Sequence, residues 1–264
     1  MHGLGNDFVV VDARQLPALD WVAIARAMCD RHFGIGADQL LLLGRSERAD
    51  LSMRLFNTDG FEAEMCGNGI RCVGKFAFER GLACRTDLTI ETLGGVKKLQ
   101  LAISNDQVTG ATVSMGVPRI VFARERITLA GGRESDGLEL TAVDMGNPHA
   151  VAFTGSSVAA FPLPLVGPQV EHHPLFPRRT NFEIARVDTR TAMQVRVWER
   201  SAGATLACGT GACAAVAAAR LRGLVDDTVT VTLPGGALSI RWDGTGEILM
   251  SGPASEVFEG WWPL

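Results

Sequence analysis

Two short stretches decide how this chain is organised: MCGNGIRC at residues 65–72 and ACGTGAC at residues 207–213. Each places a cysteine directly before a Gly-polar-Gly triplet, and each is followed by an apolar run typical of a helix. The cysteines are Cys66 and Cys208, and subtracting 66 from 208 gives an offset of 142. A motif that occurs twice raises the question of whether the rest of the chain is repeated as well.

The same offset, 141 to 142 positions, relates further segments in the same order along the chain. The matched segments are Gly5–Phe8 with Gly146–His149, Gln39 with Asn181, Phe56–Thr58 with Trp198–Arg200, Gly81 with Gly223, and Leu93–Gly95 with Pro234–Gly236. Turn-residue frequencies alone do not produce a constant offset, so we interpret the chain as two copies of one design. The predicted domains are 1–116 and 117–252, and we expect the last strand, about 253–264, to complete the first domain.

Within each half, β-branched or alternating runs bounded by Gly, Asn, Asp and Pro indicate strands. Breaker-poor runs follow the two cysteine motifs at Ile70–Arg80 and Ala212–Arg222 and predict one helix in each half. The second run has almost no polar surface, so we expect its helix to be buried inside sheet. Helical spacing also predicts an outer helix at Asp20–Arg31. The predicted fold class is α+β, with two pseudo-symmetric, strand-rich, barrel-like domains each wrapped around a central helix.

The predicted strands include the VVVDA and AVAF runs that follow Asn6 and Asn147. The others are Leu51–Phe56, Leu88–Glu91, Leu99–Ile103, Val108–Met115, Leu138–Val143, Thr191–Trp198, Thr228–Leu233, Leu238–Trp242 and Glu247–Ser251.

Composition narrows the class of protein. The 264 residues are 47% hydrophobic and carry a net charge of −4 without long runs of one sign, which argues against a nucleic-acid or membrane surface. The N-terminus lacks the features of a secretory signal, so we expect a cytoplasmic protein. Six cysteines without a CxxC pair predict reduced thiols and no metal site. The expected partner is a small molecule, and the sequence leaves a homodimer open.

The position of the two cysteines predicts acid/base chemistry. The first turn of a helix has unpaired N–H groups and partial positive charge, so a thiolate there is stabilised and its pKa is expected to be depressed. The N–H groups around Asn68 and Thr210 could hold a carboxylate. If the halves face each other about a pseudo-twofold axis, Cys66 and Cys208 face each other across a cleft. Two acid/base groups on opposite faces of one carbon are what stereoinversion requires.

Each of these residues also has an ordinary structural interpretation. A lone cysteine is usually a small buried hydrophobic residue, and Cys29, Cys72, Cys84 and Cys213 keep that interpretation. Asn6, Asn147 and Asn181 are compatible with turns or strand edges, and Glu199-Arg200 with a solvated ion pair. Their correspondence across the two halves, including Asn57 opposite Glu199, favours a functional site.

The chain resembles the diaminopimelate epimerase family over nearly its whole length. The segments that carry the resemblance are MHGLGNDF, FGIGADQ, FNTDG, MCGNGIRC, MGNPH, TNFE, WERSAGATLACGTGACAA and SGPASEVFEG, in the family's order. The resemblance implies cofactor-independent interconversion of LL- and meso-2,6-diaminopimelate in lysine and peptidoglycan precursor biosynthesis. It also implies that Cys66 and Cys208 are the two acid/base residues, one for each substrate configuration.

The resemblance further implies how the substrate is bound. The backbone at Gly67-Asn68 and at Gly209-Thr210 would hold the reacting carboxylate. Glu199 and Asn57 would lie near the reacting amino group. The remaining residues expected to line the site are Asn6, Gln39, Asn147, Asn181 and Arg200, with Arg200 a partner for the distal carboxylate because of its fork geometry.

The chain departs from the family's pattern at three places. Family members usually carry several residues before the stretch that begins here at Met1, so a shortened first strand is expected. Ser201 stands where glycine is common, and Ala204 where an acidic or amide residue is common. The last two changes adjoin Glu199-Arg200 and leave the cysteines untouched.

Three other functions compete with this interpretation. One is a proline-type or hydroxyproline-type racemase on a similar scaffold, although a cyclic monocarboxylate offers nothing for Arg200 to bind. Another is a thiol redox protein in which Cys66 and Cys208 form a disulfide, which would consume both acid/base groups. The last is a small-molecule binder without catalysis, which would be indifferent to replacement of either cysteine.

Overall fold

The structure, a computed structural model, describes residues 1–129 and 137–263. The chain divides into two compact units. Unit 1 comprises Met1–Val113 with Ser251–Leu264, and unit 2 comprises Ser114–Met250. Among the described residues, no helix is long and apolar enough to cross a membrane.

Sixteen strands and four α-helices follow one another along the described chain. In order they are β1 (His2–Gly3), β2 (Asn6–Asp12), α1 (Trp21–Cys29), β3 (Gln39–Gly44), β4 (Leu51–Asn57), α2 (Gly67–Glu79), β5 (Asp87–Thr92), β6 (Gly95–Ser104), β7 (Gln107–Ser114), β8 (Arg119–Ile127), β9 (Leu138–Asp144), β10 (Pro148–Phe153), α3 (Leu163–Glu171), β11 (Asn181–Thr189), β12 (Ala192–Glu199), β13 (Gly203–Thr205), α4 (Gly209–Leu221), β14 (Thr228–Leu233), β15 (Gly236–Arg241) and β16 (Leu249–Pro253).

In unit 1 the strands β1 to β7 lie in sequence order, each paired with the next. The pairs β2–β3 and β4–β5 are parallel, and β1–β2, β3–β4, β5–β6 and β6–β7 are antiparallel. The C-terminal segment returns to this unit, because His2 and Ser255 exchange two backbone hydrogen bonds of 2.9 Å. A parallel pair needs a crossover connection, and α2 supplies it between β4 and β5.

Unit 2 repeats this pattern of pairing. Its strand order is β8-β9-β10-β11-β12-β14-β15, with β13 added beside β12. The pairs β10–β11 and β12–β14 are parallel, and helix α4 makes the crossover between β12 and β14. Strands β10, β11, β12, β14 and β15 therefore correspond to β2, β3, β4, β5 and β6. This agreement confirms the α+β, strand-rich fold predicted from the sequence.

The central helices α2 and α4 are each buried by the strands of their own unit. In α4 every residue from Gly211 to Ala219 is buried, which confirms the prediction for this alanine-rich run. Each helix is followed, two residues after its last one, by a glycine with positive φ, 65° at Gly81 and 70° at Gly223. Glycine adopts this conformation without steric cost. The helices begin at Gly67 and Gly209, directly after the cysteines as predicted, so each helix extends three residues before the breaker-poor run, and each cysteine itself is the N-cap.

Each strand predicted before residue 253 has a counterpart in the structure, with ends that shift by a few residues. The expected last strand, about 253–264, is wrong: β16 ends at Pro253, and in the described residues after it only Ser255 pairs, in an isolated bridge with His2. Elements without a predicted counterpart include β3, β8, β11, β13 and α3. The run Leu40–Leu43 in β3 is buried on both faces and so lacks alternation, which makes its type ambiguous from sequence alone. Helix α3 carries Pro168 inside it and Pro164 near its start, residues that normally indicate a break.

Candidate active site

The first candidate acid/base group, Cys66, caps helix α2. Its sulfur accepts a hydrogen bond from the backbone N–H of Gly69 at 3.4 Å. The thiol donates to Oδ1 of Asn6 at 3.5 Å, and Nδ2 of Asn68 donates to the same oxygen at 3.4 Å. The sulfur is therefore held at the start of a helix, where backbone dipoles favour an anion. The side chain of Cys66 is partly exposed.

A buried arginine orients Asn68 in unit 1. Arg71 is fully buried and donates from Nη2 to Oδ1 of Asn68 at 2.9 Å. Its other nitrogens donate to the carbonyl oxygens of Gly67 and Pro253, both at 3.0 Å. Because the Asn68 oxygen is engaged by the guanidinium, the amide nitrogen of Asn68 is directed toward Asn6. Sequence analysis missed Arg71, although an arginine inside an apolar helix was a visible signal.

Two further candidates form an amide pair across adjacent strands of unit 1. Gln39 on β3 and Asn57 on β4 are directly paired, and Nε2 of Gln39 donates to Oδ1 of Asn57 at 2.8 Å. The other amide atom, Oε1 of Gln39, is buried and has no hydrogen-bond partner among the described residues. An unsatisfied buried acceptor of this kind is suited to bind an N–H donor.

The second candidate acid/base group, Cys208, caps helix α4 in the same way. Its sulfur accepts from the backbone N–H of Gly211 at 3.4 Å and lies 3.5 Å from Oγ1 of Thr210. Nδ2 of Asn147 donates to that hydroxyl oxygen at 3.4 Å. Cys208 is only 6% exposed, so its surroundings are drier than those of Cys66.

A buried histidine and glutamate lie behind this second cluster. His149 on β10 and Glu183 on β11 are 1% and 0% exposed, and Nδ1 of His149 is 2.7 Å from Oε1 of Glu183. Nε2 of His149 is 3.0 Å from Oδ1 of Asn147. Neither residue was singled out from the sequence, where His149 served only to mark the repeat and Glu183 belonged to a family segment. His149 is the one polar residue of β10, and Glu183 lies between the apolar residues Phe182 and Ile184 of β11.

The expected depression of the cysteine pKa is wrong for Cys208. Burial raises the pKa of the Cys208 thiol well above its ordinary value of 9.0, and the nearby carboxyls of Glu199 and Glu183 raise it further. The hydrogen bonds from Thr210 and Gly211 act in the opposite direction but are weaker. The helix N-terminus is thus outweighed by loss of solvent and by negative charge. Cys208 is a protonated thiol at neutral pH.

The remaining candidates of unit 2 lie around the end of β12. Glu199, its last residue, accepts at Oε1 from the Thr205 hydroxyl at 2.6 Å. Asn181 accepts from the Arg200 backbone N–H at 2.8 Å, which fixes the chain direction as it leaves the strand. The Arg200 guanidinium is exposed and donates to the carbonyl oxygen of Arg178 at 3.2 Å.

Ser201, which stands where glycine is common in the family, lies in a turn that favours glycine. Ser201 has a φ of 65°, in the left-handed region where side chains are disfavoured by about 1–2 kcal/mol. Glycine is the ordinary choice there, as at Gly60 in the turn after β4, whose φ is 82°. The Ser201 backbone N–H donates to Oε1 of Glu171 at 3.1 Å, which holds this turn in place.

The structure therefore groups the predicted residues within their own units. In unit 1, the side chain of Asn6 contacts both Cys66 and Asn68. Gln39 contacts Asn57, and Gly67 is the first residue of α2. In unit 2, Asn147, Thr210 and Cys208 form one chain of contacts, Asn181 contacts the backbone of Arg200, Glu199 acts on Cys208 through its charge, and Gly209 is the first residue of α4. Arg71, His149 and Glu183 are additional members of these clusters.

The fold and these helix starts define a class of strand-rich proteins with two units and one central helix in each. A probable proline racemase from Agrobacterium radiobacter, solved with bound carbonate, has this fold: its TM-score is 0.72 at 17% identity, over 96% of this chain and 88% of that chain. At this level of identity the likeness concerns the fold alone.

Sequence comparison identifies the family within that class. The model of a family described as diaminopimelate epimerase matches residues 1–121 and 141–257. A diaminopimelate epimerase from Acetivibrio thermocellus is 47% identical over 98% of this chain and 96% of its own length. One from Moorella thermoacetica is 49% identical over 100% of this chain and 98% of its own length. The chain belongs to the diaminopimelate epimerase family, and the protein is an isomerase.

Proposed function

We propose that the protein interconverts LL- and meso-2,6-diaminopimelate without a cofactor, by a two-base mechanism that uses Cys66 and Cys208. The observation that carries the proposal is that each unit places a cysteine sulfur at the N-cap of its central helix, 3.4 Å from a first-turn N–H. The names of the relatives support diaminopimelate as the substrate. A place in lysine and peptidoglycan precursor biosynthesis is part of the proposal and follows from the resemblance to the family. The mechanism requires both sulfurs to reach opposite faces of one α-carbon.

The two thiols start the reaction in different protonation states. Cys208 is buried and lies near two carboxyls, so it begins as the thiol and serves as the proton donor. Cys66 is partly exposed, and we propose that it gives up the proton it donates to Asn6 and acts as the thiolate base, stabilised by the start of α2. Cys66 removes the α-proton while Cys208 delivers its own proton to the opposite face. After inversion Cys66 is the thiol and Cys208 the thiolate, which is the state needed for the reverse direction.

An amino acid α-proton is very weakly acidic, so the carbanion needs stabilisation from fixed donors. The N–H groups of Gly67, Asn68, Gly209 and Thr210 belong to the first turns of the two central helices, where the helix dipole favours an anion. We propose that they bind the reacting carboxylate. A preorganised donor of this kind contributes about 3–4 kcal/mol to the transition state.

The rest of the substrate has a partner of suitable charge for each group. An ammonium at the reacting carbon would meet the Glu199 carboxylate and the amides of Asn57 and Gln39, whose Oε1 is a buried acceptor. Arg200 would pair with the distal carboxylate through its planar fork. Asn6, Asn147 and Asn181 would complete the lining. A cyclic substrate with one carboxylate leaves Arg200 unused, which makes a proline-type activity the weaker proposal.

The proposal is tested by deuterium incorporation from heavy water at the α-carbon of diaminopimelate, with a chelator and without pyridoxal phosphate. The wild-type protein should exchange this proton, and proline should not exchange. Cys66→Ser and Cys208→Ser should each lower the exchange rate by about 10²–10⁴-fold, the usual contribution of an acid or base. Cys84→Ser is the matched control, because Cys84 is an exposed thiol outside both clusters, and its rate should match the wild type.

Three results would overturn the proposal. Exchange that appears only after addition of pyridoxal phosphate would contradict a cofactor-independent mechanism. Full exchange in either cysteine variant would remove that thiol from the reaction. Exchange of proline in preference to diaminopimelate would favour the alternative function, a proline-type racemase.

A further inference from the structure

A continuous chain of polar contacts runs from the interior of unit 2 to the sulfur of Cys208. It begins at Glu183, whose Oε1 is 2.7 Å from Nδ1 of His149. Nε2 of His149 is 3.0 Å from Oδ1 of Asn147, and Nδ2 of Asn147 is 3.4 Å from Oγ1 of Thr210. That hydroxyl oxygen is 3.5 Å from Sγ of Cys208. Each contact passes through a different side chain, so the orientation of one member constrains the next.

The orientation of the Asn147 amide limits the protonation state of His149. Asn147 presents its oxygen to Nε2 of His149 and its nitrogen to Thr210. An amide oxygen only accepts, so Nε2 has to carry a proton. Nδ1 then either carries a second proton and donates to a Glu183 carboxylate, or is bare and accepts from a protonated Glu183. In both forms the pair is neutral overall and holds two protons.

Removing one proton from this pair changes the contact with Asn147. A neutral His149 that donates from Nδ1 to a Glu183 carboxylate has a bare Nε2, which would face the lone pairs of the amide oxygen. The Asn147 amide would then have to turn over and present its oxygen to Thr210. Burial raises the pKa of Glu183, which favours retention of both protons on the pair.

We propose that Glu183 is a positioning residue for Cys208: it holds the His149 ring through Nδ1, so that Nε2 stays on the Asn147 oxygen and Asn147 directs its amide nitrogen toward Thr210. Glu183 Oε2 is buried and has no hydrogen-bond partner among the described residues, so this carboxyl is committed to His149 through its other oxygen. The proposal deepens the proposed function and rests on Cys208 being one of its acid/base groups. It concerns the state of this thiol and not the identity of the substrate.

Unit 1 provides an internal reference without this pair. His149 pairs with Asn181 in register as Phe8 pairs with Gln39, and Glu183 and Leu41 each follow those partners by two residues. A Cβ added to Gly69 in α2 would lie 3.2 Å from Leu41 and 3.4 Å from Phe8. The corresponding positions of unit 1 thus hold an apolar pair under the same kind of helix start, so this backbone arrangement does not in itself require a glutamate.

The experiment compares Glu183→Gln, Glu183→Leu and the double variant His149→Phe/Glu183→Leu. Glutamine can donate from its amide to Nδ1 of His149 and so hold the ring in place, whereas leucine cannot. Glu183→Leu and the double variant should lower kcat on the order of 100-fold, the effect of a small misplacement of a reacting group, with KM little changed. Glu183→Gln should restore most of kcat. The double variant transplants the apolar pair of unit 1 and avoids leaving a buried histidine unpaired.

A spectroscopic measurement keeps the test independent of turnover. The ¹⁵N signals of the imidazole ring report which nitrogen carries a proton, and His149 is assigned by its absence in His149→Phe. Nδ1 should carry a proton or accept a hydrogen bond in the wild type and in Glu183→Gln. In Glu183→Leu it should give the signal of a bare nitrogen without a hydrogen bond, while Nε2 keeps its proton because it still faces the Asn147 oxygen.

The outcomes separate this inference from the proposed function. A folded double variant with wild-type kcat would overturn the inference, as would an unchanged ring pattern in Glu183→Leu. A wild-type protein without diaminopimelate exchange would overturn the proposed function instead, and the ring signals would still decide whether Glu183 sets the state of His149.

Discussion

The helix after Cys66 and the helix after Cys208 begin with the same cap geometry but rest on different side chains. Both sulfurs accept an N–H at 3.4 Å from the residue three positions on. In unit 1 the buried charge lies on the helix itself, at Arg71, and the strands beneath contribute Phe8 and Leu41.

Unit 2 reverses this arrangement. Its ionisable residues lie on the strands, at His149 and Glu183, while the helix position five residues after the cysteine holds Cys213, which is fully buried. The polar surroundings of the two thiols differ as well. Cys66 contacts an amide oxygen, that of Asn6, whereas Cys208 contacts a hydroxyl and lies near carboxyls. The same cap geometry is therefore surrounded by different polar groups in the two units.

The largest difference in stability between matched variants of the two units is expected when the buried Arg71 is replaced. Arg71→Leu leaves the Asn68 and Pro253 oxygens without the guanidinium donor and should lower the free energy of unfolding by about 3 kcal/mol. Urea denaturation followed by circular dichroism measures this. Cys213→Ala, the matched position in unit 2, should cost only about 1 kcal/mol. Equal losses in the two variants would show that Arg71 is not the anchor of its unit.

The next effect concerns the space beneath each helix start. A Cβ added to Gly211 would lie 2.7 Å from Oε1 of Glu183, which His149 holds in place, whereas one added to Gly69 meets its nearest atom at 3.2 Å. Gly211→Ala should therefore destabilise the protein by about 2 kcal/mol. Gly69→Ala should cost less, because an alanine in a helix recovers up to about 1 kcal/mol. Thermal unfolding compares the stabilities of the two variants. A greater loss of stability in Gly69→Ala would contradict the closer packing under the start of α4 in unit 2.

The smallest effect is a pH dependence of stability that comes from Cys208. Its pKa is raised in the folded state, so above the ordinary value of 9.0 the unfolded thiol loses its proton while the folded one keeps it. Unfolding then releases a proton, and the contribution of this thiol to stability falls as pH rises, by about 1.4 kcal/mol per pH unit.

Urea denaturation between pH 8 and 10 measures this dependence as the difference between the wild type and Cys208→Ala. The subtraction removes the contribution of Cys29, whose pKa is raised by burial to about 11, and of Cys72, whose pKa is raised to about 12. A difference that stays constant with pH would mean that the pKa of Cys208 is not raised in the folded protein.

The sequence by itself determined the duplication, the helices that start at Cys66 and Cys208, and the family, because the signals are local or strictly periodic. Glycine and cysteine at fixed positions mark a helix start, and a constant offset marks a repeat. The same local signals were ambiguous for β3, whose apolar run does not alternate, and misleading for α3, where Pro168 lies inside the helix.

Only the tertiary structure decided how the two cysteines differ. Glu183 is 34 residues from His149, and they meet because β10 and β11 pair in parallel with His149 opposite Asn181. The pKa of Cys208 is likewise set by burial under several segments and by carboxyls on separate strands. Desolvation and through-space charge depend on which distant segments pack together, so they cannot be read from the neighbours of a residue along the chain.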